Sequence, residues 1–245
     1  MISLQTTPTT APEDISKSKI EKQYKKLVKE LFELQHLLYA NSQNSLLIIL
    51  QGLDAAGKDS TIRHVFSNVN PTGCNVKSFK KPTEEELMYG FLWRIYKHLP
   101  AKGMIQIFNR SHYEDILVPT VHQAASNATI EHRYNYINHF EKHLQQQGTI
   151  ILKFFLNLSE EKQNEKLAVR LTDTSKMWKY DIADTREKHN RKAYIETYEQ
   201  IFQRCSPDIP WHIIPADDKW YRNYVVAKTV VDALKSLNMT YSARK

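Results

Sequence analysis

Cysteine is nearly absent: Cys74 and Cys205 are the two in 245 residues, too few for a disulfide framework and without zinc-binding spacing. A reducing, cytoplasmic setting is the resulting expectation. No apolar stretch approaches the ~18 residues that a membrane-spanning helix needs. Internal repeats and low-complexity tracts are also missing. The ten histidines form neither a convincing metal set nor a nucleophile pair, and His112 reads as positional. Basic residues are not interleaved with aromatic ones, so no stacking platform for nucleic-acid bases is expected. Residues 1–15 are rich in Thr and Pro, lack a hydrophobic signal core and read as a mobile lead-in.

The hydrophobic content of 41% suits one sizeable α/β domain over residues 16–245 and leaves no room for a second full domain. A formal charge of +7 calls for an anionic partner. Nucleotide, inorganic polyphosphate, nucleic acid and a membrane surface all qualify on charge alone, so a motif has to choose among them.

That motif lies in Leu46–Thr61, LLIILQGLDAAGKDST. Leu46–Gln51 has the length and β-branched content of a buried parallel strand, and Gly52 breaks it. Gly52, Gly57 and Lys58 then meet the G-x-x-x-x-G-K spacing, and Asp59-Ser60-Thr61 opens a helix. The glycines let backbone N–H groups converge on phosphate oxygens, the helix N-terminus adds partial positive charge, and Lys58 adds a full one. Gly52, Ala55, Ala56, Gly57, Lys58, Asp59 and Ser60 are therefore candidate phosphate or nucleotide contacts. Where such loops usually carry Ser or Thr after the lysine, to hold Mg²⁺, this chain has Asp59. The cation must be held differently, and Asp54 and Asp59 are the carboxylates within a few residues of the expected phosphate.

The rest of the chain alternates strand and helix. Ser16 to about Ala40 is an amphipathic helix that packs on the sheet or on a partner subunit rather than on a membrane. After a helix over Ser60–Asn68, Asn75–Phe79 is the second strand, with Lys80 and Lys81 just past its carboxyl end, either solvated or aimed at ligand. Thr83–Leu99 reads as one helix opened by a Thr83/Glu86 capping box, with Phe91, Leu92, Trp93, Ile95 and Tyr96 toward the core. Met104–Phe108 is the third strand and ends in Asn109-Arg110. The place where phosphate-loop enzymes put a metal- or water-orienting acid holds Asn109, so the carboxylates must come from Glu114 and Asp115. Arg110 suits a forked phosphate contact, and a structural pairing with one of those acids is the competing reading. His122–Ile130 reads as loop, Glu131–Gln146 as helix and Thr149–Leu156 as a central strand. Ser159 to about Cys205 is a basic helix, a break near Asp173-Thr174, and a second helix. It is either a solvated face or a lid, at about residues 160–200, that closes cationic side chains over phosphates. Trp211–Ile214 is the fifth strand, and Lys219–Leu237 a last helix burying Trp220, Tyr224, Val230, Val231 and Leu234. The expected architecture is a P-loop kinase-like, three-layer α/β/α domain with a central five-stranded parallel sheet and a helical lid.

GLDAAGKD, NPTGCNVKSFK, FLWR, IFNRSHYE, INHFEKHL, GTIILKFFLNLS, WKY and PWHIIPADDKWYRN together resemble the polyphosphate kinase 2 family across about residues 20–240. The resemblance implies reversible, Mg²⁺-assisted transfer of a phosphoryl group between inorganic polyphosphate and nucleoside di- or triphosphates, with monophosphates accepted by some members. It assigns Asp54 and Lys58 to metal and phosphate, Asn109 and Arg110 to the transfer site, and Arg170, Lys179, Asp184 and Arg186 to the closing lid. Asp115, read as a second metal carboxylate, implies a preference for ADP or GDP. A homo-oligomer, dimer or tetramer, is implied too. The chain departs from the family pattern at Thr120, where arginine is common, in a short loop after His122, and at Asn190-Arg191, which replace lid aromatics. Two other readings stay open: an ATP-dependent nucleoside monophosphate kinase, and a non-catalytic nucleotide- or nucleic-acid-binding module.

Overall fold

The computed structural model describes residues 2–174, 177, 190–205 and 208–241. In chain order the elements are α1 (Lys17–Asn41), β1 (Ser45–Gln51), α2 (Lys58–Val65), β2 (Cys74–Ser78), α3 (Glu84–Leu87), α4 (Trp93–Tyr96), β3 (Ile105–Asn109), α5 (Glu114–Val121), α6 (Asn127–Gln146), β4 (Thr149–Asn157), α7 (Glu160–Thr172), α8 (Arg191–Arg204), β5 (Trp211–Pro215) and α9 (Lys219–Lys235). The five strands pair in parallel in the order β2-β3-β1-β4-β5. The α/β architecture expected from the sequence is therefore present.

Every residue of β1 is buried, as a central parallel strand covered on both faces must be. The period of two divides its side chains between two cores. Leu46, Ile48 and Leu50 face Leu31 and Leu38 of α1, Val65 of α2 and Val226, Val230 and Leu234 of α9. Leu47 and Ile49 face Ile116 of α5, Ile137 and Phe140 of α6, and Tyr198 and Phe202 of α8. Helices on both sides make the third layer. No helix among the described residues is long and apolar enough to cross a membrane.

Three expectations need correction. Thr83–Leu99 is not one helix: α3 and α4 are four residues each, divided around Gly90, whose backbone freedom makes it a poor helix interior. The Thr83/Glu86 capping box is present. Helix α6 starts at Asn127 rather than Glu131, because the Ser126 side chain accepts from Thr129 N and caps it there. The N-terminal stretch expected to be mobile is fastened down. Leu4 is buried, and its N–H donates to Glu199 of α8 at 2.7 Å. Thr7 O accepts from Asn157 at the end of β4, Thr9 O from Asp217 N, and Ala11 N donates to Asp218.

One polar network interrupts the apolar face of β4. Lys153, fully buried, donates to Glu141 Oε2 of α6 at 2.7 Å, to Tyr113 Oη at 3.0 Å and to Cys205 O at 2.5 Å. Tyr113 Oη in turn donates to Glu141 Oε1 at 2.8 Å, and His112 Nε2 lies 3.1 Å from the same oxygen. Burial pushes the Glu141 carboxyl up, and Lys153 and His112 more than offset it, so it sits below the usual range. Removing one partner strands a buried charge. Glu141→Ala should destabilise the fold by about 3–5 kcal/mol in urea unfolding, and adding Lys153→Met should recover much of that loss.

Candidate active site

Parallel pairing of β1 with β3 puts Leu50 opposite Asn109, so the loop leaving β1 and the turn leaving β3 emerge side by side at the carboxyl edge of the sheet. Such edges gather ligands in open α/β folds. The first is the glycine-bounded loop: Gly52 has φ 150° and Gly57 φ 102°, conformations that a Cβ disfavours. Helix α2 then begins at Lys58, placing its N-terminal dipole at the loop.

Lys58 folds back over this loop, its Nζ donating to Gly52 O at 2.6 Å and to Leu53 O at 3.3 Å. Arg110 reaches the same loop from β3, its Nη2 donating to Asp54 Oδ1 at 2.9 Å, with Glu114 3.8 Å from Nη1. The Arg110 backbone is left-handed at φ 63° and its N–H bonds Leu50 O, which turns the side chain across the top of β1. Asn109 Nδ2 donates to Asp59 Oδ1 at 2.6 Å. Asp54, Lys58, Asp59, Asn109, Arg110 and Glu114 thus form one cluster. The pairing of Arg110 with acids, the competing sequence reading, coexists with its position at the loop.

Other candidates fall elsewhere. Asp115 pairs with Arg94, its Oδ2 accepting from Arg94 Nη2 at 3.1 Å. Burial pushes its carboxyl up while Arg94 pulls it back. Glu114, also pushed up by burial against the pull of Arg110 and Lys58, is the acid that joins the cluster. Lys80 and Lys81 are exposed, and Lys80 O accepts from Arg94. Ser60 accepts a hydrogen bond from Arg222 Nη2 at 3.3 Å. Arg170 sits in the last turn of α7, which ends at Thr172, next to the expected break. Lys179, Asp184 and Arg186 lie outside the described residues. Helices α7 and α8 are tied to the loop: Gln163 of α7 donates to Asp54 O at 3.0 Å, and Arg191 of α8 donates to Gln163 Oε1 and to Leu158 O.

Two neighbours of the loop escaped sequence reasoning. Tyr198 of α8 is buried beside Gly52, Glu114 and Arg110, and its hydroxyl pKa is pushed well above the usual value by burial first and Glu114 next. Arg222 of α9 is buried and donates to Ala56 O at 3.2 Å. Its position was legible as an arginine four residues before Val226 and eight before Val230, on the apolar stripe of α9.

The donor set is oxygen-rich, which suits a hard divalent cation. Among the described residues no group of three or more His, Cys, Asp or Glu side chains could hold a metal ion alone. Asp54, with Glu114 and Asp59 nearby, would instead share a cation with phosphate oxygens and water. The Lys58 ammonium is pushed down to about 8 by burial, with Arg110 adding to the effect and Asp54, Glu114 and Asp59 opposing it. Its charged form is therefore lost as pH rises through about 8, whereas a bound polyanion favours that form. Tripolyphosphate binding at pH 8.5 should take up a proton, read by calorimetry in buffers of different ionisation enthalpy, and its affinity should fall between about pH 7 and 9. Lys58→Ala should abolish the uptake.

The family model for polyphosphate kinase 2 (PPK2) matches residues 14–242. The chain is 44% identical over 216 residues to an AMP/ADP-polyphosphate phosphotransferase of Meiothermus ruber, covering 88% of this chain and 81% of that protein. It is 41% identical over 227 residues to an ADP-polyphosphate phosphotransferase of Rhodopseudomonas palustris, covering 87% and 78%. The crystal structure of polyphosphate kinase 2 from Arthrobacter aurescens TC1 superposes with a TM-score of 0.96 at 38% identity, over all of this chain and 89% of the other. With the glycine loop, the Asn109-Arg110 turn and the sheet order all in place, a match running nearly the length of the sequence makes this chain a member of the polyphosphate kinase 2 family.

Proposed function

We propose that the protein is a phosphotransferase that moves a phosphoryl group reversibly between inorganic polyphosphate and a nucleoside diphosphate, ADP or GDP, with Mg²⁺. The observation that carries the reading is the convergence of Lys58 and Arg110 on one loop beside Asp54. Phosphoryl transfer asks for little covalent chemistry and much charge neutralisation and alignment. Lys58 exchanges its two loop carbonyls for phosphate oxygens, while Arg110 releases Asp54 to fork onto the transferring group. The loop amides and the α2 N-terminus hold the neighbouring phosphates. Asp54, with Glu114 and Asp59 as supporting acids, would hold Mg²⁺, which would supply charge neutralisation to the phosphates. Asn109 fixes Asp59. The basic lid, with Arg170, Lys179 and Arg186, excludes water, which would otherwise accept the phosphoryl group.

The ADP or GDP preference is read from Asp115 as a second metal carboxylate, which pairs with Arg94 here as Asp54 pairs with Arg110. The AMP named for the Meiothermus ruber relative favours a second reading in which monophosphates are also accepted. A cytoplasmic homo-oligomer, dimer or tetramer, fits the family and the exposed Leu87, Met88, Tyr89 and Tyr96, and light scattering on the purified protein reads the number.

Purified protein with polyphosphate, Mg²⁺ and ADP should make ATP. Activity toward AMP from ATP alone, without polymer, would instead identify a monophosphate kinase. Lys58→Ala and Arg110→Ala should each lower the polyphosphate-dependent rate by about 100-fold or more, the scale for deleting one charge-stabilising donor. Full function in Lys58→Ala would point to a non-catalytic binding module.

A further inference from the structure

Arg222 is buried to 2% exposure behind the glycine loop, with no acid against it among the described residues. Its guanidinium donates to neutral oxygens only: Ala56 O at 3.2 Å, Ser60 Oγ at 3.3 Å, and Asn223 Oδ1 at 3.4 Å from Nε and 3.3 Å from Nη2. The packing is so close that a Cβ on Gly57 would lie 2.3 Å from Nη1. Glycine at 57 thus serves this arginine as well as the loop's own turn.

The groups around Arg222 make its charge harder to hold. Lys166 of α7 and Lys219 of α9 both feel its repulsion, and Arg63 of α2 adds to that on Lys219. Asp217 and Glu165 are the acids that act on Lys166, and Lys162 adds further repulsion. Burial lowers the Arg222 pKa to about 10 with no opposing charge. A buried cation held by dipoles alone is costly to a fold that gains nothing else from it.

The peptide plane supplies the gain. In a trans peptide the carbonyl and the following N–H point in opposite directions. By pinning Ala56 O, Arg222 turns the Gly57 N–H away from itself, to the opposite side of the peptide plane. We propose that Arg222 is a positioning residue for phosphate binding: it locks the Ala56–Gly57 peptide with its amide toward the phosphate chain, and its own charge stays unbalanced until that chain arrives. The inference rests on the phosphate-loop reading above. It makes the loop's affinity for anions and the stability of the empty fold pull against each other at one residue.

The test compares wild type, Arg222→Lys, Arg222→Gln and Arg222→Met, measuring the melting temperature without ligand and the affinity for tripolyphosphate in Mg²⁺ buffer. The empty Gln and Met variants should melt at or above the wild-type temperature. They should bind tripolyphosphate at least about tenfold more weakly, equivalent to ~1.4 kcal/mol, and Arg222→Lys should fall between. Lower melting temperatures with unchanged affinity would overturn the proposal and leave Arg222 a space-filling residue. So would a Lys variant no better than Gln. Should Arg222→Met fail to fold, the Lys and Gln pair gives the same contrast. Lys58→Ala in parallel separates the two claims: if it binds tripolyphosphate normally, the loop reading itself fails, and if it alone loses binding, only the role of Arg222 does.

Discussion

The register between β1 and β3 governs the whole site. Because Leu50 lies opposite Asn109, the chain leaves both strands at the same height, and Arg110 can bridge to Asp54 without a long excursion. A slip of one residue would turn Arg110 to the other face of the sheet and part it from the loop. The two apolar cores prevent that slip, since each β1 side chain is committed to one face or the other. Packing thereby sets the spacing of the charges at the loop.

Without ligand, the polar groups of the site satisfy one another. Lys58 is held by Gly52 O and Leu53 O, Arg110 by Asp54, and Asn109 by Asp59. On the proposed reading, phosphate oxygens would replace the acceptors of Lys58 and Arg110 while Asn109 keeps Asp59, so the site would exchange partners on binding rather than be built by it, which keeps the ordering cost low.

What could be read from the sequence was what is local. Gly52, Gly57 and Lys58 declare themselves by spacing, and Asn109-Arg110 by ending an apolar strand. The capping box at Thr83 was legible for the same reason, although Gly90 cut the helix that it opens. Adjacent helical residues diverge by about 100°, so sequence alone could not say which of Glu114 and Asp115 faces the loop. Structure gives Glu114 to the loop and Asp115 to Arg94. Lys153 was hidden within a strand that otherwise reads as apolar, and its partner Glu141 lies on a different element. Tyr198 and Arg222 approach the loop from α8 and α9, more than 140 residues later in the chain, and only the folded sheet brings them there.

The N-terminal fastening has a consequence of its own. Within eight residues the chain grips α8 through Glu199, β4 through Asn157, and the turn before α9 through Asp217 and Asp218. It works as a basting thread run across three separate pieces of the carboxyl rim. A protease nick between Leu4 and Ala11 would loosen all three together.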